Sequence, residues 1–166
     1  MIKRQQGFTL VEMIIAIVIT AVVMIGASRL LVQGFRGYYL GRDAVNTDWQ
    51  ARVAMERMTR DLRAIRSSND IIVANTNSIR FVDISGNDIL YQVSGSQLTR
   101  TLAGSSADVL ADNIVSLNFN YYNSSGVSTT IISAIRYIVP SLVVTYTSSN
   151  LPDYIITAGV YPWNLN

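Results

Sequence analysis

Gly7-Phe8-Thr9-Leu10-Val11-Glu12 stands at the head of a run, residues 8–27, in which Glu12 is the only charged side chain. Twenty residues of helix at ~1.5 Å each extend about 30 Å, the thickness of a bilayer's hydrocarbon core. The residues before the run are short and polar, with Lys3 and Arg4 among them. Two plain readings follow: a transmembrane anchor, or the apolar region of a secretory signal peptide with Gly26-Ala27-Ser28 as its small-residue cleavage site. Glu12 suits neither. A carboxylate inside such a run costs up to about 2.5–3.5 kcal/mol at mid-membrane, and less near an end. It calls for a positive partner, and a cut between Gly7 and Phe8 would create one in the new α-amino group.

A glycine, an aromatic residue next to it and an acid five positions past the glycine, behind a basic leader and ahead of a long apolar run, resemble the class III signal of type IV pilins and pseudopilins. The resemblance implies that a prepilin peptidase cleaves after Gly7 and methylates the new terminus, Phe8. It implies that Glu12 pairs with the positive N-terminus of a neighbouring subunit. In low dielectric such a pair is strong, and leaving either charge alone is expensive, so one axial register is favoured. Residues 1–7 become a cleaved leader and 8–27 a membrane-spanning, filament-core helix. The implied fold is α+β and type IV pilin-like: a long N-terminal helix, its apolar half in the membrane, packed on a C-terminal antiparallel sheet domain. The implied partners are the prepilin peptidase, other pilin or pseudopilin subunits, an inner-membrane assembly platform and, before assembly, membrane lipid. No cofactor and no metal are implied. The implied location is a single pass through the cytoplasmic membrane with an extracytoplasmic C-terminal domain, followed by the filament. Charge bias does not choose the orientation, because Lys3 and Arg4 flank one side and Arg29, Arg36 and Arg42 the other.

No proline precedes Pro140, so nothing forces a helix begun at Phe8 to stop before about Ser67. Gly26, Gly34, Gly37 and Gly41 weaken it locally. Residues 28–67 are read as its amphipathic continuation. At 100° per residue, Leu31, Phe35, Tyr38, Val45, Trp49 and Val53 share one side. Ala51, Ala54, Met55, Met58, Leu62 and Ile65 lie on the opposite side. Two stripes imply two partners: neighbouring subunits or membrane for the first, this chain's own sheet for the second. A break near Gly37–Gly41 would instead make the phase change meaningless. Arg52–Glu56, Glu56–Arg60 and Arg57–Asp61 have the spacing of helix-surface ion pairs.

From residue 71 the pattern becomes short β-rich runs, read as a globular domain over 71–166. Strands are expected over 71–74, 78–84, 89–93, 97–102, 114–122, 135–146 and 154–161. Ser85-Gly86-Asn87-Asp88, Ser94-Gly95-Ser96 and Asn123-Ser124-Ser125-Gly126 read as hairpin turns. Pro140 points to an edge strand or a bulge. Asp83 and its neighbours superficially suggest a calcium loop but lack the spaced acids and the closing Glu, so a turn is the better reading. Tyr121-Tyr122 and Tyr161-Pro162-Trp163 are read as buried sheet aromatics in preference to a contact surface.

The chain has no histidine, no cysteine and one lysine, which removes the usual bases and nucleophiles and leaves a structural role over an enzymatic one. Past Arg66, three arginines stand against six aspartates, a poor balance for binding nucleic acid. The absence of a proline in the N-terminal helix and of any disulfide departs from many major pilins. Ala51-Arg52-Val53-Ala54-Met55-Glu56-Arg57-Met58-Thr59-Arg60-Asp61-Leu62-Arg63 and Val109-Leu110-Ala111-Asp112-Asn113-Ile114 resemble J-type minor pseudopilins and W-type minor pilins. That resemblance implies a minor subunit that primes or caps a pilus or type II secretion-like filament; the alternative is a major or adhesive pilin.

Overall fold

A computed structural model describes residues 7–147 and 151–165. Residues 1–6, nearly all of the expected leader, lie outside the described residues. The chain divides into two units, Met1–Arg42 and Asp43–Asn166. One helix, α1 (Leu10–Arg63), contributes to both.

In the first unit α1 carries the apolar run, and residues 7–42 are all exposed. Gly26, Gly34, Gly37 and Gly41 do not interrupt it. A glycine costs about 1 kcal/mol in a helix but keeps its N–H, so the hydrogen-bond ladder survives where a proline would break it. Two hydroxyls, Thr20 within the run and Ser28 just past it, turn back onto the helix backbone. Thr20 donates to the Ala16 carbonyl at 2.7 Å and Ser28 to the Met24 carbonyl at 2.8 Å, so neither presents an unsatisfied group to lipid.

In the second unit the remainder of α1 packs through Ala51, Ala54, Met55, Met58 and Leu62, all buried, with Met58 at 0% exposure. This is the second expected stripe. Ile65 is buried too, but the helix ends at Arg63, short of the expected Ser67. The last turn tightens into bonds from Ala64 N–H to the Asp61 carbonyl and from Ile65 N–H to the Leu62 carbonyl. The chain is then captured by the end of a strand through an isolated bridge between Ile65 and Asp83. Of the expected helix ion pairs only Glu56–Arg60 forms, at 2.9 Å. Arg52 turns back to Asp48 at 2.8 Å, and Asp61 leaves the helix surface for Arg100 at 2.7 Å.

Eight strands follow among the described residues: β1 (Ile71–Ala74), β2 (Ser78–Val82), β3 (Asp88–Ser94), β4 (Gln97–Leu102), β5 (Ala107–Ala111), β6 (Ile114–Tyr122), β7 (Tyr137–Val144) and β8 (Tyr154–Thr157). They form two antiparallel sheets, β1-β2-β3-β4-β5 and β6-β7-β8. Helix plus antiparallel sheets is the expected α+β class. Strict alternation places Ile79 and Phe81 of β2, Ile89 and Tyr91 of β3, and Ile138, Leu142 and Val144 of β7 in one core with the helix stripe. The turns form as read. Gly95 at φ +62 heads a two-residue hairpin between Ser94 and Gln97, and the Asp83 and Asn123 side chains accept backbone N–H groups of their own loops.

Strand β5 was not expected. Three of its five residues are exposed and only Ala111 is buried, so an edge strand with little alternation escaped the pattern. Pro140 corrects a second expectation: it sits in β7, the middle strand of its sheet. Its carbonyl accepts the Ala158 N–H at 3.1 Å, but proline has no N–H to return the bond. Strand β8 therefore ends at Thr157, and pairing resumes in the same register at the Ile138–Val160 bridge. Of the aromatics expected to be buried, Tyr121 is, with its hydroxyl donating to the Asn75 carbonyl at 2.8 Å. Tyr161 and Trp163 are exposed.

Candidate functional site

Gly7 and Phe8 directly precede α1, and Glu12 lies in its first turn. The helix begins at Leu10 because Thr9 caps it. The Thr9 hydroxyl accepts the Glu12 N–H at 3.3 Å, and the Thr9 carbonyl accepts the Met13 N–H at 3.2 Å. Thr-x-x-Glu is the capping-box spacing, a signal the sequence reading passed over while weighing Glu12 for its charge alone. It puts the Glu12 carboxylate in the first helical turn, where the positive end of the helix dipole favours it. Gly7 and Phe8 precede the cap in non-helical backbone, and Phe8 is 82% exposed. An uncovered, non-helical glycine–aromatic pair leaves the peptide bond between them accessible to a peptidase.

Between Glu12 and Ser28 the exposed surface of α1 is almost wholly apolar. Ile14, Ile15, Ile17, Val18, Ile19, Val22, Val23 and Ile25 all stand more than half exposed. Each such side chain gains about 1.5–3 kcal/mol when fully buried, so a surface of this kind requires lipid or other helices around it. The helix is long and apolar enough to cross a membrane, with a mean hydropathy of 2.7 over its most apolar window. None of the ion pairs among the described residues involves Glu12. The unit thus offers a carboxylate without a described internal partner near one end of an apolar rod.

A second exposed stripe continues on the part of α1 within the second unit. Val45, Trp49 and Val53 lie outward, Trp49 at 68% exposure, while Ala51, Ala54 and Met58 beside them are buried. The helix therefore keeps an apolar face that this chain's own sheets do not cover.

Several carboxylates of the second unit are held by partners within it. Arg80 holds Asp88 through two bonds of 2.9 and 2.7 Å and keeps its carboxyl below the ordinary range. Arg66 and Ser67 do the same for Asp70, which is lowered to about 2. Around Asp83 burial works to raise the pKa, but hydrogen bonds from the Asn87 side chain and from the Asn87 and Ser85 backbone outweigh it. These bonds leave the Asp83 loop closed on itself as a turn. No group of three or more metal-ligating side chains occurs among the described residues.

Residues 2–28 match the family model described as the prokaryotic N-terminal methylation motif. No curated protein matches the chain. The match covers the basic leader, the Gly7–Phe8 junction, Glu12 and the whole apolar run. The chain thus carries the N-terminal methylation motif of type IV pilins and pseudopilins at the head of a type IV pilin-like α+β fold. The motif implies processing by a prepilin peptidase, membrane anchoring through the N-terminal helix and assembly with other pilins.

Proposed function

We propose that this chain is a minor subunit of a type IV pilus or type II secretion-like filament, and that it primes or caps assembly. It is cleaved between Gly7 and Phe8, methylated on the Phe8 nitrogen, and held in the membrane by residues 8–27 until it joins the filament. Glu12 then pairs with the positive terminus of a neighbouring subunit, and the exposed apolar faces of α1 supply cohesion. The observation that carries this reading is the methylation motif over residues 2–28 heading a helix whose apolar side chains are exposed.

The minor role is supported by the uninterrupted, proline-free α1 and the absence of cysteine, both departures from many major pilins. A second reading, a major or adhesive subunit, draws support from the exposed Tyr161 and Trp163 on the globular unit. Expression with and without a prepilin peptidase, followed by intact mass, tests the processing. The expected product lacks residues 1–7 and carries one added methyl group. A product beginning at Ser28, or one indifferent to the peptidase, defeats the proposal. Abundance in sheared filaments separates the two roles: a major subunit dominates them, a minor one is scarce.

A further inference from the structure

We infer that residues 28–41 of α1 form an amphipathic collar that docks on anionic phospholipid headgroups at the membrane surface, with Arg29 and Arg36 on the phosphates. The inference rests on the membrane-spanning reading of residues 8–27. Arg29, Gln33 and Arg36 follow at intervals of four and three, so they share one face, and with Ser28 and Val32 they line one shallow groove. Leu31, Phe35 and Tyr38 lie about half a turn away and, with Leu30 and Gly34, line another. All three are more than 60% exposed.

Charge complementarity favours lipid. No acid occurs between Glu12 and Asp43, so neither arginine has a carboxylate nearby in its own unit, and neither joins an ion pair among the described residues. Position favours it too. The segment begins where about 30 Å of apolar helix ends, at headgroup level. Transmembrane helices tilt by ~20° on average and up to about 40°, which leans one side of such a continuation toward the surface. Leu31, Phe35 and Tyr38 then enter the boundary region, where tyrosine is favoured. Arg29 and Arg36 extend their apolar stems across that region and place their guanidinium groups among the phosphates, which they bind bidentately.

The chain has no cysteine, so Phe35→Cys gives a single reporter in the full-length protein. The variant is reconstituted into vesicles of phosphatidylcholine alone or of phosphatidylcholine with phosphatidylglycerol, and labelled with a water-soluble maleimide. Labelling is expected to be at least about 5-fold slower in the anionic vesicles, the effect of one arginine near such a surface. High salt removes the difference, and so does Arg29→Gln with Arg36→Gln. Equal rates in both lipids, or a difference that survives the double substitution, overturn the inference. Protection that follows the protein-to-lipid ratio and not the lipid charge also overturns it, and assigns the face to a neighbouring subunit. Vesicle flotation separates the two levels. A chain that floats but labels equally defeats the collar alone, whereas a chain that does not float defeats the membrane-spanning reading as well.

Discussion

The Asp61 carboxylate on α1 and the Arg100 guanidinium on β4, thirty-nine residues apart in sequence, meet at 2.7 Å, and the Tyr91 hydroxyl donates to the same Asp61 oxygen at 2.8 Å. Arg100 is only 7% exposed. Burial works against its charge, yet the hydrogen bond and charge of Asp61 prevail and raise its pKa. Removing one partner leaves a buried charge uncompensated. Asp61→Ala is expected to destabilise the globular unit by about 3–5 kcal/mol in urea unfolding, whereas Asp61→Leu with Arg100→Met recovers most of the loss. Equal losses in the single and double variants would show that the pair is not what joins helix to sheet.

Gly159 is required for space. A Cβ there would collide with the Tyr137 hydroxyl, and the Tyr137 ring is stacked on Tyr161 with centroids 4.2 Å apart. Gly159→Ala is expected to lower stability by about 1–3 kcal/mol, as overpacking does. Tyr137→Phe in the same background returns part of it. Thermal unfolding of the three variants checks the order.

Pro140 leaves one bond missing opposite Ala158. Pro140→Val restores an N–H and closes the gap between β8 and the Ile138–Val160 bridge. The net stability change is small, because a bond worth about 0.5–1.5 kcal/mol is offset by a more flexible unfolded chain. Hydrogen exchange is the sensitive readout: the new amide at position 140 is expected to be protected, and rapid exchange there would refute the shared register.

Acid stability follows from the depressed carboxyls of Asp70, Asp88, Asp83 and Asp48. A folded pKa below the unfolded value of about 3.9 gives stability that is fully present above that value and lost as pH falls through the folded pKa. Thermal stability in detergent is therefore expected to decline between pH about 4 and about 2, the value of Asp70. With no histidine in the chain, no comparable step is expected near neutrality. Arg66→Gln shrinks the acid step if Asp70 contributes to it.

Glu12→Leu removes the only charge in the apolar run. The membrane-inserted state gains up to about 2.5–3.5 kcal/mol, less near the helix end, while the proposed inter-subunit pair is lost. The variant is expected to remain inserted and processed but to disappear from sheared filaments, as blotting of the two fractions would show. Undiminished incorporation would remove Glu12 from the assembly role.

The apolar run, the isolated Glu12, both helix stripes, the hairpin turns and most strands were legible in the sequence. Each is a local signal: a hydropathy, a period of 3.6 or 2, or a residue whose backbone preference sets a turn. The Thr9 cap belonged to the same class and was present as Thr-x-x-Glu. What only the tertiary structure decided were relations between distant segments. Asp61 had Arg57 one turn away by sequence, yet it bonds Arg100 and Tyr91, because the topology brings β3 and β4 over the helix. Strand β5 shows almost no alternation of its own and exists because β4 offers it an edge. Pro140 is tolerated in a middle strand because its missing donor faces only the end of β8. The division into two sheets, the close approach of Tyr137 to Gly159 and the exposure of Tyr161 and Trp163 depend likewise on which surfaces the folded chain covers. Neighbours in sequence report their own period; they do not report what will lie across from them once the core has closed.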